Sequence, residues 1–154
     1  MQLLPVLHQK QRQQSDCLAA CSAMVLRYLG IPVAYEQLIR LLDIQAHGTA
    51  FSKVRNLADP FGLHVAVKEG DFDALRSCLD LALAPLVALN TDDLSYWTSA
   101  VDHAVVVIGM DDTMIALNDP AFDTAPQVIS LVEFGVAWVE QDYKYAVISL
   151  TELE

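Results

Sequence analysis

Apolar positions along the chain change period about midway, and that change predicts the order of elements. From Asp16 to Leu29 the apolar residues Leu18, Ala20, Cys21, Met24, Val25, Tyr28 and Leu29 recur at the spacing of one buried helix face. Gly30 stands where a terminating glycine belongs, and Pro32 lies two residues beyond. A second helix is predicted over Tyr35 to Leu42, and a third from Ser52 to the Pro60–Gly62 region. From His64 to Lys68 the period becomes two, the signature of a strand. Asp71 is placed to cap a helix running to Leu81. Pro85 to Asn90 reads as a short apolar strand, and His103–Met110 with Thr113–Asn118 as a hairpin turning at Asp111-Asp112. Ser130 and Glu133 have the spacing of a capping box, which starts a helix through Trp138, and Tyr143 to Leu150 reads as a last strand. Helices first and strands later predict an α+β fold, not a parallel βαβ sheet.

With 154 residues, the simplest organisation is one domain over 1–154, large enough to bury about 70 % of its unfolded surface. The apolar runs are broken by Arg27, Arg40, Asp80 and Asp102, and none reaches the ~20 residues of a bilayer span, so no membrane insertion is expected. The N-terminus lacks the charged and apolar regions of a secretory signal, which predicts a cytoplasmic protein with reduced thiols. An odd cysteine count of 3 agrees with that better than with a disulfide framework. The net charge of −11, with no basic stripe, disfavours nucleic-acid binding.

Three residues carry candidate chemistry. Cys17 follows Gln11-Arg12-Gln13-Gln14-Ser15-Asp16 and sits at the start of the first helix. Thiols are acidified at helix N-termini and beside an imidazolium, so a nucleophile is favoured there over a small buried hydrophobe. Cys21 and Cys78, mid-helix among apolar neighbours, fit the buried role. His103 opens the strand His-Ala-Val-Val-Val-Ile-Gly and supplies a base, whereas His8 and His64 lack a matching acidic or amide orienter and His47 precedes Gly48 in a loop. Asp119 ends the next strand, almost opposite His103 across the hairpin, and could hold the imidazole. Asp102 is adjacent in sequence but points to the other face. The Cys17 backbone N–H and a side-chain amide from Gln11, Gln13 or Gln14 are the candidate oxyanion donors, and spacing does not choose among the glutamines. A Cys17–Cys21 metal site is a ligand short. Tyr96 and Trp97 either line the cleft or pack beneath their loop, and Gly48-Thr49 is either near the cleft or a turn.

At these positions the chain resembles the bacteriocin-processing, double-glycine leader peptidases, papain-like cysteine peptidases usually fused to ABC exporters. The resemblance rests on Gln11, Asp16-Cys17, Ala20, Met24 and Tyr28-Leu29-Gly30, on His103 to Gly109, and on Asn118-Asp119-Pro120, and it covers nearly the whole chain. It implies a helical subdomain carrying the cysteine against an antiparallel sheet carrying the histidine and aspartate. It also implies Cys17 as nucleophile, His103 as general base and acid, Asp119 as orienter and Gln11 as the oxyanion side chain. No cofactor is implied. The expected substrate is a peptide cut after small residues such as Gly-Gly, with a separate transporter as a possible partner, because neither membrane spans nor a nucleotide-binding motif accompany the domain. Leu18 departs from the glycine that usually follows the family's cysteine. A papain-like acyltransferase or amidase, and a peptide-binding relative without catalysis, are the alternatives. Oligomeric state is not legible.

Overall fold

The computed structural model describes residues 1–153. Helix α1 (Cys17–Tyr28) buries every residue from Leu18 to Leu26 and ends as the glycine predicted. Gly30 adopts φ +79°, its N–H bonds the Arg27 carbonyl, and the Ile31 N–H bonds that of Leu26. That pair of bonds closes the helix with a left-handed residue that glycine adopts without a Cβ penalty. Helix α2 (Tyr35–Leu41) follows. The third predicted helix is mostly a tighter 3-10 segment, Phe51–Leu57, continuing into the single turn α3 (Ala58–Phe61).

Six strands form one sheet in the order β1-β6-β2-β3-β4-β5. They are β1 (His64–Glu69), β2 (Leu86–Asn90), β3 (Asp102–Met110), β4 (Met114–Asn118), β5 (Gln127–Ser130) and β6 (Lys144–Ser149). Every pairing is antiparallel, so the architecture is the expected α+β fold. Helix α4 (Phe72–Asp80) is capped by the Asp71 carboxylate on the Ala74 N–H, and α5 (Leu131–Val139) by Ser130 on the Glu133 N–H. The edge strand β5 was not predicted. Only Ile129 of its four residues is buried, so it carries no readable alternation.

Alternation along β3 divides the core. Ala104, Val106 and Ile108 pack with α1, whereas Val105 and Val107 pack with Phe134 and Trp138 of α5. The β3–β4 register shifts between Val107 and Gly109, leaving Val106 opposite Asn118. Such a bulge bends the strand and re-aims the residues beyond it. The N-terminal arm lies over it. The Leu4 N–H bonds the Ile108 carbonyl, the Asn118 amide bonds the Val6 carbonyl at 3.1 Å, and the Gln11 N–H bonds the Pro120 carbonyl at 2.7 Å. The arm thereby delivers Gln11 to the end of β4.

Candidate active site

Cys17 is the first residue of α1 and is partly exposed. Asp16, which precedes it, makes no side-chain cap. Its carboxylate turns back to the Gln13 N–H at 3.0 Å. The amino end of α1, with its outward N–H groups and positive dipole end, is therefore left open beside the thiol. Cys17 and His103 line a cavity of 190 Å³ with Leu18, Phe51, Ala88 and Ala104.

His103 is 7 % exposed and Asp119 0 %. The Nε2 of His103 lies 2.7 Å from the Asp119 Oδ1. The contact is diagonal rather than directly across the hairpin, because the register sets Asn118, the last residue of β4, opposite Val106, so Asp119 lies just past the strand and meets His103 at a slant. Asp119 has three further donors. The Ala121 N–H bonds Oδ1 at 3.0 Å, while the Tyr96 hydroxyl at 2.8 Å and the Trp97 indole N–H at 2.9 Å both bond Oδ2. Trp97 also packs on the His103 ring in a T-shaped pair, with centroids 4.8 Å apart.

These contacts fix the charges. Burial pulls the His103 pKa down, but the hydrogen bond and negative charge of Asp119, with the Cys17 sulfur alongside, outweigh it and raise the value to about 9. Burial pushes Asp119 up, yet the bond and charge of His103, the Ala121 N–H and the Trp97 N–H hold it below the usual carboxylate range. Tyr96 is pushed far up by burial and by the Asp119 charge, so it stays protonated and donates. With Nε2 committed to Asp119, the other ring nitrogen is left for Cys17.

Gln11 lies in a larger cavity of 820 Å³, lined also by Gln13, Gln14, Trp97, His103 and Phe122. Its Nε2 donates to the Gln13 carbonyl at 2.9 Å and the Gln14 carbonyl at 3.3 Å, and its Oε1 is buried without a partner. Arg12 anchors the same segment to α2, bonding Glu36 at 2.7 Å and lying 4.2 Å over the Tyr35 ring.

A profile of the Peptidase C39 family matches residues 6–142. The chain belongs to the peptidase C39 family, and is a cysteine peptidase by that membership. It is 28 % identical over 129 residues to the lactococcin-G-processing and transport ATP-binding protein LagD of Lactococcus lactis. That match takes in 83 % of this chain and 17 % of LagD, so the chain spans about a sixth of that relative. Its fold is shared with a C39-like peptidase from Bacillus anthracis, at TM-score 0.81, 17 % identity and coverage of 99 % and 98 % of the two chains. It is shared too with the peptidase domain of Streptococcus ComA, at TM-score 0.77, 18 % identity and coverage of 95 % and 99 %. A third likeness is a double glycine motif protease from an AMS/PCAT transporter in complex with leader peptide, at TM-score 0.75, 21 % identity and coverage of 97 % and 94 %.

The remaining residues of this C39 domain sort themselves around the site. Asp102 turns away from the imidazole, as alternation requires, and its Oδ1 accepts from Asn90 at 3.0 Å and Gln141 at 2.7 Å. His8 bonds the Phe122 carbonyl at 2.6 Å, and Cys21 is buried with its thiol on the Ala104 carbonyl. Leu18 is buried in the wall of the small cavity. Thr49 lines the same cavity while its hydroxyl holds the Leu42 carbonyl at 2.7 Å. The sequence did not reveal Tyr96 and Trp97 as donors to Asp119. The signal was present, since a buried Tyr O–H or Trp N–H requires an acceptor, but nothing local named Asp119 as that acceptor.

Proposed function

We propose that the chain cleaves peptides after small residues, Gly-Gly first among them, with Cys17, His103, Asp119 and Gln11 as the working residues. The Cys17 sulfur attacks the scissile carbonyl and forms a tetrahedral oxyanion. The Cys17 N–H at the open end of α1 donates to it. Gln11 joins by giving up its longer bond, the one at 3.3 Å to Gln14. As the C–N bond breaks, His103 passes its proton to the leaving amine. Water then attacks the thioester while His103 takes the water's proton, and Cys17 is released. Asp119 keeps the ring oriented and stabilises its charge throughout. The observation that carries this reading is the 2.7 Å His103–Asp119 pair, buried beside a thiol at a helix start.

The small cavity supports the preference for small side chains, since Leu18 and Phe51 crowd it. A peptide substrate agrees with the leader peptide bound by the AMS/PCAT protease. No described helix is long and apolar enough to cross a membrane. The reading includes one domain over 1–154, a cytoplasmic site of action and a transporter as partner, the last because LagD's name joins processing to transport.

The test is the pH dependence of iodoacetamide alkylation at each cysteine, mapped by peptide mass, in wild type and His103→Ala. Cys17 is expected to react far faster than Cys21 and Cys78 at and below neutral pH, and to lose that advantage in the mutant. Equal behaviour with and without His103 contradicts the reading.

A further inference from the structure

The carboxylate of Glu133 leaves its capping box half made. Ser130 caps the Glu133 N–H at 3.1 Å, but the Glu133 side chain does not return to Ser130. Its Oε2 instead accepts the Ser95 N–H at 3.1 Å and the Ser95 hydroxyl at 3.0 Å. Ser95 immediately precedes Tyr96 and Trp97, the two donors to Asp119 Oδ2.

Consecutive side chains of an extended strand point apart, so a turn is needed to bring both onto one oxygen. The Trp97 N–H closes that turn on the Leu94 carbonyl at 3.1 Å. Loop 91–101 is tied at its base by Thr91, whose N–H bonds the Val101 carbonyl and whose hydroxyl bonds the Ser99 carbonyl at 2.7 Å. Between base and tip, Glu133 is the side-chain tether. Phe122 fills the space beneath, edge-on to both rings with centroids 5.2 Å away.

We propose that Glu133, through Ser95, is a positioning residue for the site, holding loop 91–101 so that Tyr96 and Trp97 keep the Asp119 carboxylate turned toward His103. The assignment rests on the peptidase reading above. Glu133 acts by accepting hydrogen bonds and not by its charge, because a negative charge here opposes the ionised state of Asp119. A glutamine, which keeps the acceptor oxygen, therefore serves in its place. The titratable groups around Asp119 are His103 from β3, Tyr96 from the loop and Cys21 from α1, with Cys17 beyond the imidazole and Glu133 beyond Tyr96.

The test is carboxyl carbon NMR titration of Asp119 in the full chain, alongside kcat and KM on a Gly-Gly peptide, for wild type, Glu133→Ala, Glu133→Gln and Tyr96→Phe. Loss of donors to the charged form raises a carboxyl pKa. Tyr96→Phe and Glu133→Ala are expected to raise the Asp119 titration by about one pH unit. They are also expected to lower kcat about tenfold with KM little changed. Glu133→Gln is expected to restore both. An unmoved Asp119 titration in folded Glu133→Ala overturns the proposal, as does a glutamine that behaves like alanine. Should Glu133→Ala not fold, Ser95→Ala, which removes one of the two tether bonds, must shift the titration in the same direction or the proposal falls. The titration needs no substrate. Absence of peptide cleavage with the shifts intact counts against the peptidase reading and leaves the tether standing.

Discussion

Asp119 has no exposed surface and four donors on two oxygens, so every lone-pair direction has work to do. Replacing one oxygen by an amide nitrogen sets a donor against a donor, either at His103 or at Tyr96 and Trp97. Asp119→Asn is therefore expected to lower kcat/KM by about 10²- to 10⁴-fold, measured on a Gly-Gly peptide, while Asp102→Asn costs far less. Gln11→Ala removes only the proposed oxyanion donor and is expected to cost about 10²- to 10³-fold in kcat in the same assay. Cys17, His103 and Asp119 could be picked out as candidates because each sits in a telling local context: a thiol at a helix start, an imidazole opening a strand, a carboxylate just past the end of the next. The engagement of Gln11 with two carbonyls was not legible. It depends on how residues 11–14 fold back on themselves, which no periodicity encodes.

The β3–β4 hairpin, with the arm across it, is the element that assembles these residues. A Cβ built on Gly109 would come within 2.7 Å of both the Gln2 carbonyl oxygen and the Leu3 side chain. Gly109→Ala must therefore lift the arm that positions Gln11, although the glycine's own backbone angles are ordinary. The expected result is a loss of about 1–3 kcal/mol in urea denaturation, together with lower activity and faster hydrogen exchange at Leu4 and Gln11. Helix α1 was predicted to within a residue because its apolar face and its terminating glycine agree. The bulge and strand β5 were hidden for different reasons. A bulge adds a residue without changing the hydrophobic run Ala104–Ile108, and an edge strand with one buried residue shows no face to read.

For the molecule as a whole, the buried His103–Asp119 pair ties stability to pH. The folded His103 titrates at about 9 against an ordinary 6.5, so its contribution is complete below about pH 6.5 and is lost as pH rises through 9. Asp119, held below its ordinary 3.8, contributes above that value and loses its contribution as pH falls through its folded pKa. Stability from the pair is thus greatest between about pH 4 and 6.5. Urea midpoints are expected to decline from pH 6.5 to 9 by a difference worth about 3 kcal/mol in wild type. In His103→Gln that decline should be largely gone. The α+β class was readable from the change of period, whereas the strand order β1-β6-β2-β3-β4-β5 was not, since β6 returns from the end of the chain to lie between β1 and β2.

The proposed function turns on Cys17 as the nucleophile of a peptide-cleaving site. It is tested most directly by intact-mass and peptide-mapped mass spectrometry of the chain reacting with a leader-like peptide that carries Gly-Gly before a fluorogenic amide. The expected result is release of the fluorophore, an acyl adduct located on Cys17 and nowhere else, and loss of both in Cys17→Ala. Release that survives Cys17→Ala, or an adduct on Cys21 or Cys78, would contradict that role.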